Sequence, residues 1–180
     1  MAVFYLVRHG EPDWGLKEEK QLQGAMRDFV PLTATGVLQA EKVMNCHPYL
    51  RECDLILSSP YTRALQTAAI MNRTLGKPLQ VEFDLYEWTP DQWEAASADE
   101  IHELWKDYML HDGCWPEGET RLWETKASLW SRINGVLARY ESYSNVVVVC
   151  HGMVISTLLG LASTEIELCG VYEYCHSRMP

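Results

Sequence analysis

The sequence predicts an α/β protein, a sheet with helices on both faces, from three observations. Short continuous apolar runs recur along the chain. Segments with helical spacing alternate with them, and the three clearest runs stop on serine, or on histidine and glycine. Continuous apolar runs of this length are expected of strands covered on both sides, and their alternation with helices is the pattern of an open α/β sheet.

The first run, Val3 to Val7, ends at Arg8-His9-Gly10. Thr33 is placed to cap a helix that carries Val37, Ala40, Val43 and Met44 on one face. Asp54 to Leu57 reads as a second strand ending at Ser58-Ser59-Pro60. There a serine N-cap and a proline in the first turn open a helix with Ala64, Leu65, Ala68, Met71 and Leu75 at helical spacing. Residues 79 to 83, LQVEF, read as a further strand. Residues 85 to 118 are rich in tryptophan and acid, with turn signals at Thr89-Pro90-Asp91 and Asp112-Gly113, and read as a helical cap inserted into a single domain spanning residues 1 to 180. A long helix follows Gly118, with Leu129, Trp130, Ile133, Val136, Leu137 and Tyr140 on one face. Val146 to Val149 is the most β-branched run, and it ends at Cys150-His151-Gly152 before the helix-like MVISTLLGLA.

Composition bounds the function. The 180 residues suffice for a sizeable core, and 47% hydrophobic with 22% charged residues is ordinary for a globular protein. A formal charge of −10, from 25 acidic and 15 basic residues, argues against a general nucleic-acid or anionic-membrane surface. None of the six cysteines shows the C-x2-C spacing of a zinc or redox motif. Cys150 reads as a buried strand thiol, and the looser grouping Cys169, Cys175 and His176 is not credited as a metal site. His102 and His111, like His176, are expected at the surface. MAVFYLV lacks a charged leader and a cleavage site and is far too short to span a membrane, so a reducing, cytoplasmic setting is expected.

Ligands of open α/β sheets bind outside the carboxyl ends of the strands. Those ends carry Arg8 and His9, Arg63 one turn into a helix, and His151 with Gly152. Arginine forks match phosphate oxygens, and Gly10 and Gly152 permit close approach to backbone N–H groups. A neutral His9 beside a phosphoryl group is suited to attack phosphorus, with Arg8, Arg63 and His151 stabilising the charge. The leaving alkoxide needs a proton, for which Asp84, Glu87 and Glu94 are candidates.

The blocks Leu6-Val7-Arg8-His9-Gly10-Glu11, Gln23-Gly24, Pro31-Leu32-Thr33 with Gly36, Gln39-Ala40, Ser58-Ser59-Pro60 with Arg63-Ala64, and Gln66-Thr67-Ala68 run in order. They continue through Asp84-Leu85 with Glu87, Pro116 with Gly118-Glu119-Thr120, and Val148-Val149 with His151-Gly152. Over roughly residues 3 to 160 this resembles the histidine phosphatase superfamily, the phosphoglycerate mutase-like proteins. The resemblance implies a three-layer α/β/α sandwich with a mixed sheet, His9 as the phosphorylated nucleophile, Arg8, Arg63 and His151 as its phosphate pocket, Glu87 as proton donor, and Gln23 reaching the phosphate. It implies neither metal nor other cofactor, and a small phosphorylated metabolite as substrate.

Departures bear on the subclass. Trp14 is followed by Gly15 where mutases usually carry asparagine, and the cap offers Trp88, Trp93, Trp105 and Trp115 among many acids, with only Lys106 and Arg121 as cations nearby. This favours a phosphatase over a phosphoglycerate mutase. Phosphatases of the family often show Gly-x-Trp-Glu-Gly after the proton donor, where this chain has Asp91-Gln92-Trp93-Glu94-Ala95. A phosphate-binding protein without catalysis is the other alternative, though none of the four core pocket residues is missing.

Overall fold

A computed structural model describes residues 2–94 and 97–175. Among the described residues, five strands form one mixed sheet: β1 (Val3–Arg8), β2 (Leu55–Ser58), β3 (Leu79–Val81), β4 (Asn145–Cys150) and β5 (Val171–Cys175), in the order β3-β2-β4-β1-β5. All neighbouring pairs are parallel except β1 with β5. The α-helices are α1 (Trp14–Lys20), α2 (Ala34–Cys46), α3 (Thr62–Leu75), α4 (Ala98–Leu110), α5 (Lys126–Ala138) and α6 (Gly152–Leu159).

The continuous apolar runs are continuous because both faces of the central strands are covered. Phe4, Leu6, Leu55, Leu57, Val146 and Val148 pack against Leu129, Ile133 and Val136 of α5 and Val154 and Ile155 of α6. The alternate residues Val7, Ile56, Val147 and Val149 pack on the opposite side against Val43 and Met44 of α2 and Ala64, Ala68 and Met71 of α3. The result is the α/β/α sandwich. Among the described residues no helix is long and apolar enough to cross a membrane.

Several boundaries differ from expectation for identifiable reasons. Strand β2 starts at Leu55; Asp54 just before it still donates from N to Asn145 O at 2.8 Å, while its carboxylate accepts from the amides of Ser144 and Asn145 at 2.9 and 3.0 Å. Helix α3 begins at Thr62 with Tyr61 at its N-cap and no side-chain cap, since the Ser59 hydroxyl is engaged elsewhere. In LQVEF the strand ends at Val81, Glu82 is still extended, and Phe83–Leu85 turns into a 3-10 helix. Among the described residues of 85 to 118 only α4 is α-helical, opened by a capping box between Ser97 and Glu100. Gly118, at φ 76°, makes a turn, and α5 waits for its own cap at Thr125. Thr33 caps α2 as expected, accepting from Gly36 N at 3.0 Å.

Two elements carried no usable signal. Helix α1, WGLKEEK, buries no residue and has no apolar stripe. Strand β5, VYEYC, is half-exposed at the sheet edge. The cysteines are all unpaired, and burial pushes the Cys150 thiol up in pKa, which suits a packing residue and not a nucleophile. His102 is exposed, but His111 is only partly exposed and sits 3.4 Å from Asp107. His176 lies outside the described residues.

Candidate active site

The register of β1 against β4 aligns Arg8 with Cys150, so the next residues, His9 and His151, leave the sheet side by side. Their rings meet edge-on at a centroid distance of 5.1 Å. His9 N still donates to Cys150 O at 3.1 Å and Ser59 N to Val149 O at 2.9 Å, so three strand ends remain tied one residue beyond the sheet. Backbone pairing alone therefore delivers His9, His151 and Ser59 to one spot.

His9 Nδ1 lies 2.7 Å from Gly10 O. A carbonyl only accepts, so Nδ1 carries the ring proton and Nε2 keeps its lone pair. Arg63 Nε donates to that lone pair at 3.3 Å. Burial first, then the Arg63 charge, push the His9 pKa down to about 3, with the Gly10 bond pulling the other way and Arg8 adding a smaller push. The ring is a neutral base with its nucleophilic nitrogen beside a guanidinium.

His151 is fully buried, and burial followed by Arg63 and His9 holds its pKa well below the ordinary imidazole range. Its Nε2 is 2.7 Å from Ser59 Oγ, which also accepts from Tyr61 N at 3.3 Å. Ser59 Oγ can serve both contacts with either His151 tautomer; in the one where its O–H donates to Nε2, the His151 proton stands on Nδ1. That Nδ1 and the Nε of Arg8 are the buried side-chain nitrogens without a partner among the described residues. Arg8 is otherwise anchored by Nη1 donating to Ile166 O. Two orphaned donors at one strand-end rim are what an oxygen-rich anion would satisfy.

Arg63, in the first turn of α3, is buried, and its Nη1 donates to Asp28 Oδ1 at 3.3 Å. Trp14 and Tyr61 flank its guanidinium at 5.4 and 4.9 Å. The glycines do different work from that expected. The Gly10 amide donates to Thr67 Oγ1 at 3.1 Å, and a Cβ on Gly10 would stand 2.6 Å from Gly36 O. Gly10 is there for a backbone-on-backbone contact, and its N–H is already taken. Gly152 lies beneath the Arg8 guanidinium, where a Cβ would come within 3.4 Å of its central carbon.

Arg8, His9, Arg63 and Glu87 line one cavity of about 570 Å³. Glu87 Oε1 accepts from Trp88 N at 2.9 Å and Oε2 from Met153 N, at the start of α6, at 3.3 Å. Burial raises its pKa despite those bonds and the nearby Arg63 and Arg8. Of the three acids considered from the sequence, Asp84 and Glu94 are not among the residues lining this cavity, and Glu94 faces a separate acidic groove. Gln23 also departs from expectation. It is exposed and lines another groove with Gln21 and Ser97, because the 3-10 turn Gly24–Phe29 that follows it points Arg27 and Asp28 inward instead.

The cavity wall is shared between two irregular regions. From the segment after β1 come Glu11, Pro12, Trp14, Lys17, Arg27 and Asp28. Of the four cap tryptophans, Trp88 lines the cavity; Trp93 stands behind, donating from Nε1 to Asp28 Oδ2 and Tyr61 Oη at 3.2 Å each, while Trp105 stacks on His102 and Trp115 bonds Trp123 O. Lys106 and Arg121 do not reach it. Arg27 makes a two-pronged ion pair with Asp91 at 2.7 and 2.6 Å, joining the two regions. Trp14, Arg27, Asp28 and Tyr61 were missed from the sequence; the adjacent opposite charges Arg27-Asp28 inside the apolar stretch Ala25 to Val30 were the available signal.

Comparison with known proteins is decisive for the family. The profile of the histidine phosphatase superfamily, branch 1, matches residues 4–174. The chain belongs to that superfamily. This histidine phosphatase is 35% identical over 164 residues to the uncharacterized phosphatase PhoE of Bacillus subtilis, across 88% of this chain and 76% of the relative. It is 31% identical over 175 residues to the probable phosphoglycerate mutase GpmB of Proteus mirabilis, across 89% and 76%. Among solved structures, mycobacterial glucosyl-3-phosphoglycerate phosphatase with VO3 shares the fold, with a TM-score of 0.70 over 96% of this chain and 90% of that one at 21% identity. Bacillus stearothermophilus YhfR matches with a TM-score of 0.65 over 89% and 79% at 27% identity.

Proposed function

We propose that this histidine phosphatase is a phosphomonoesterase that hydrolyses a small phosphorylated metabolite through a phosphohistidine on His9, without a metal. The observation that carries the reading is the His9 ring: neutral, held by Gly10 O through Nδ1, with the Nε2 lone pair directed to Arg63 in the cavity.

In the first step the phosphoryl oxygens lie against Arg63, Arg8 Nε and His151 Nδ1, and His9 Nε2 forms a bond to phosphorus as the bond to the ester oxygen breaks. Glu87, whose pKa is raised by burial, donates its proton to the departing alkoxide. In the second step water loses a proton to the Glu87 carboxylate and attacks phosphorus, the P–N bond breaks, and the electron pair returns to Nε2. Positive charge from Arg8 and Arg63 supports the transition state without a metal ion, and the cavity carboxylates are already engaged: Glu87 by two amides, Asp28 by Arg63 and Trp93, Glu11 by the Thr33 hydroxyl at 2.7 Å.

A mutase is the second reading, favoured by relatives such as the probable phosphoglycerate mutase. Hydrolysis is preferred because the cations left for a second anionic group are few: Arg27 is spent on Asp91, and Lys17 is shared with Glu18 at 3.6 Å. The test is phosphate release from an aryl phosphate and a panel of metabolite phosphates with EDTA present, with 3-phosphoglycerate isomerisation measured in parallel. Release should fall at least about 10³-fold in His9→Ala, and acid-quenched wild type should carry phosphate on His9. Isomerisation without release supports the mutase, and neither activity supports a phosphate-binding protein.

A further inference from the structure

Arg132 stands in the middle of α5 next to the apolar positions Leu129, Ile133 and Val136, where a helix on a sheet ordinarily turns an arginine to water. Here the guanidinium is nearly enclosed and every nitrogen has work. Nη1 donates to Asp84 O at 2.6 Å and Tyr86 O at 2.9 Å, and Nη2 reaches Glu87 O at 3.4 Å. Nε and Nη2 hold the two oxygens of Glu124 at 2.7 and 2.9 Å, and the Tyr86 ring lies 3.6 Å from the guanidinium carbon.

Those three carbonyls belong to the short irregular stretch that carries Glu87 into the cavity. The stretch is not part of the sheet, and its main chain is tied to the 123–125 segment by Glu124 N to Thr89 O at 2.9 Å and Trp88 Nε1 to Glu124 O at 2.8 Å. A fork that binds alternate carbonyls fixes the direction of the chain between them, and so the direction in which the residue at its end projects. We propose that Arg132, braced by Glu124, is the positioning residue that sets the Glu87 carboxyl against the leaving oxygen. This rests on the reading of Glu87 as proton donor.

In the first step a displaced Glu87 harms only substrates whose leaving group needs a proton. In the second step it is the base for every substrate, so the comparison is made on kcat/KM, which reads the first phosphoryl transfer alone. Esters of poor leaving groups depend on general acid catalysis by about 10²–10⁴-fold, whereas p-nitrophenolate leaves without help. An error in position of about 1 Å is enough to cost about 10²-fold. The experiment compares n-butyl phosphate with p-nitrophenyl phosphate in wild type, Arg132→Met, Glu124→Gln, Glu87→Gln and the Arg132→Met/Glu87→Gln double variant. Arg132→Met should lower kcat/KM on the butyl ester about 100-fold and on the aryl ester less than about threefold, and it should add little to Glu87→Gln. Glu124→Gln, which keeps the carbonyl bonds, should show the same selectivity at smaller size and carries the test if Arg132→Met does not fold. Equal losses on both esters, or additive effects in the double variant, would overturn the role of Arg132. If Glu87→Gln itself shows no preference between the esters, it is the assignment of the acid that fails.

Discussion

The floor and the wall of the cavity are built by different means. The floor, lined by Arg8 and His9 with Ser59 and His151 buried directly behind them, hangs from three neighbouring strand ends whose amides and carbonyls continue the sheet ladder, and Gly10 against Gly36 lets two backbones touch. The wall, with Trp14 at the start of α1, Arg27, Asp28 and Glu87, stands on short helices, turns and irregular chain held by side-chain ion pairs, two-pronged from Arg27 to Asp91 and from Arg132 to Glu124 and single from Arg63 to Asp28. Backbone ladders fix position regardless of the side chain they carry. Ion pairs do so only while both partners are present. The group proposed to do the bond-making thus sits on the part of the fold least sensitive to its own identity, and the surroundings of the leaving group sit on the part most easily altered.

The sharpest way to break the floor is steric. A Cβ on Gly36 would stand 2.3 Å from Glu11 O and 2.9 Å from Glu11 N, both main-chain atoms that cannot rotate away. Gly36→Ala should destabilise by about 2–3 kcal/mol, or more, and displace the strand end that carries His9. Denaturant unfolding and turnover should fall together. A variant of wild-type stability and activity would show that the floor is softer than its packing indicates.

The wall should break electrostatically and be repairable. Arg27→Met takes the guanidinium away from the buried Asp91 carboxylate, at a cost of about 3–5 kcal/mol, while the Arg27→Met/Asp91→Leu pair removes both charges and should recover most of it. A double variant as unstable as the single would mean that the ion pair is not what joins the two segments. If the segments part, KM should rise before kcat falls, since His9 and its neighbours are held independently.

The smallest expected effect is on pH. His9 has its pKa depressed from 6.5 to about 3 in the folded protein, so the unfolded chain binds the extra proton first. The neutral-ring stability is intact above about pH 6.5 and is lost as pH falls from there toward 3, by about 1.4 kcal/mol per unit. His151 acts in the same direction, whereas Glu87 and Asp28, whose pKa values are raised, act in the opposite one. Comparing variants isolates the ring: the stability of His9→Asn relative to wild type should improve by about 2 kcal/mol between pH 6.5 and pH 5. No change in that difference would mean the ring is protonated in the folded state or solvated.

What could be read along the chain was whatever local pattern enforces. Apolar runs such as Val146 to Val149 announce strands because both their faces are buried, Thr33 announces a helix because its hydroxyl meets an amide three residues on, and Arg8-His9 and His151-Gly152 stand out because polar residues end those runs. Linear pattern therefore determined the α/β class and brought out Arg8, His9, Arg63 and His151, the residues proposed to hold the phosphoryl group. Only tertiary structure decided the rest. The His9 lone pair meets the Arg63 guanidinium from 54 residues away, Arg63 meets Asp28 across 35 residues, and Glu87 is separated from Asp84 and Glu94 by the direction of a stretch that Arg132 grips from 45 residues away. Contacts between segments remote in sequence leave no period or spacing behind, since either partner alone is an ordinary arginine or carboxylate until the fold brings the other to it.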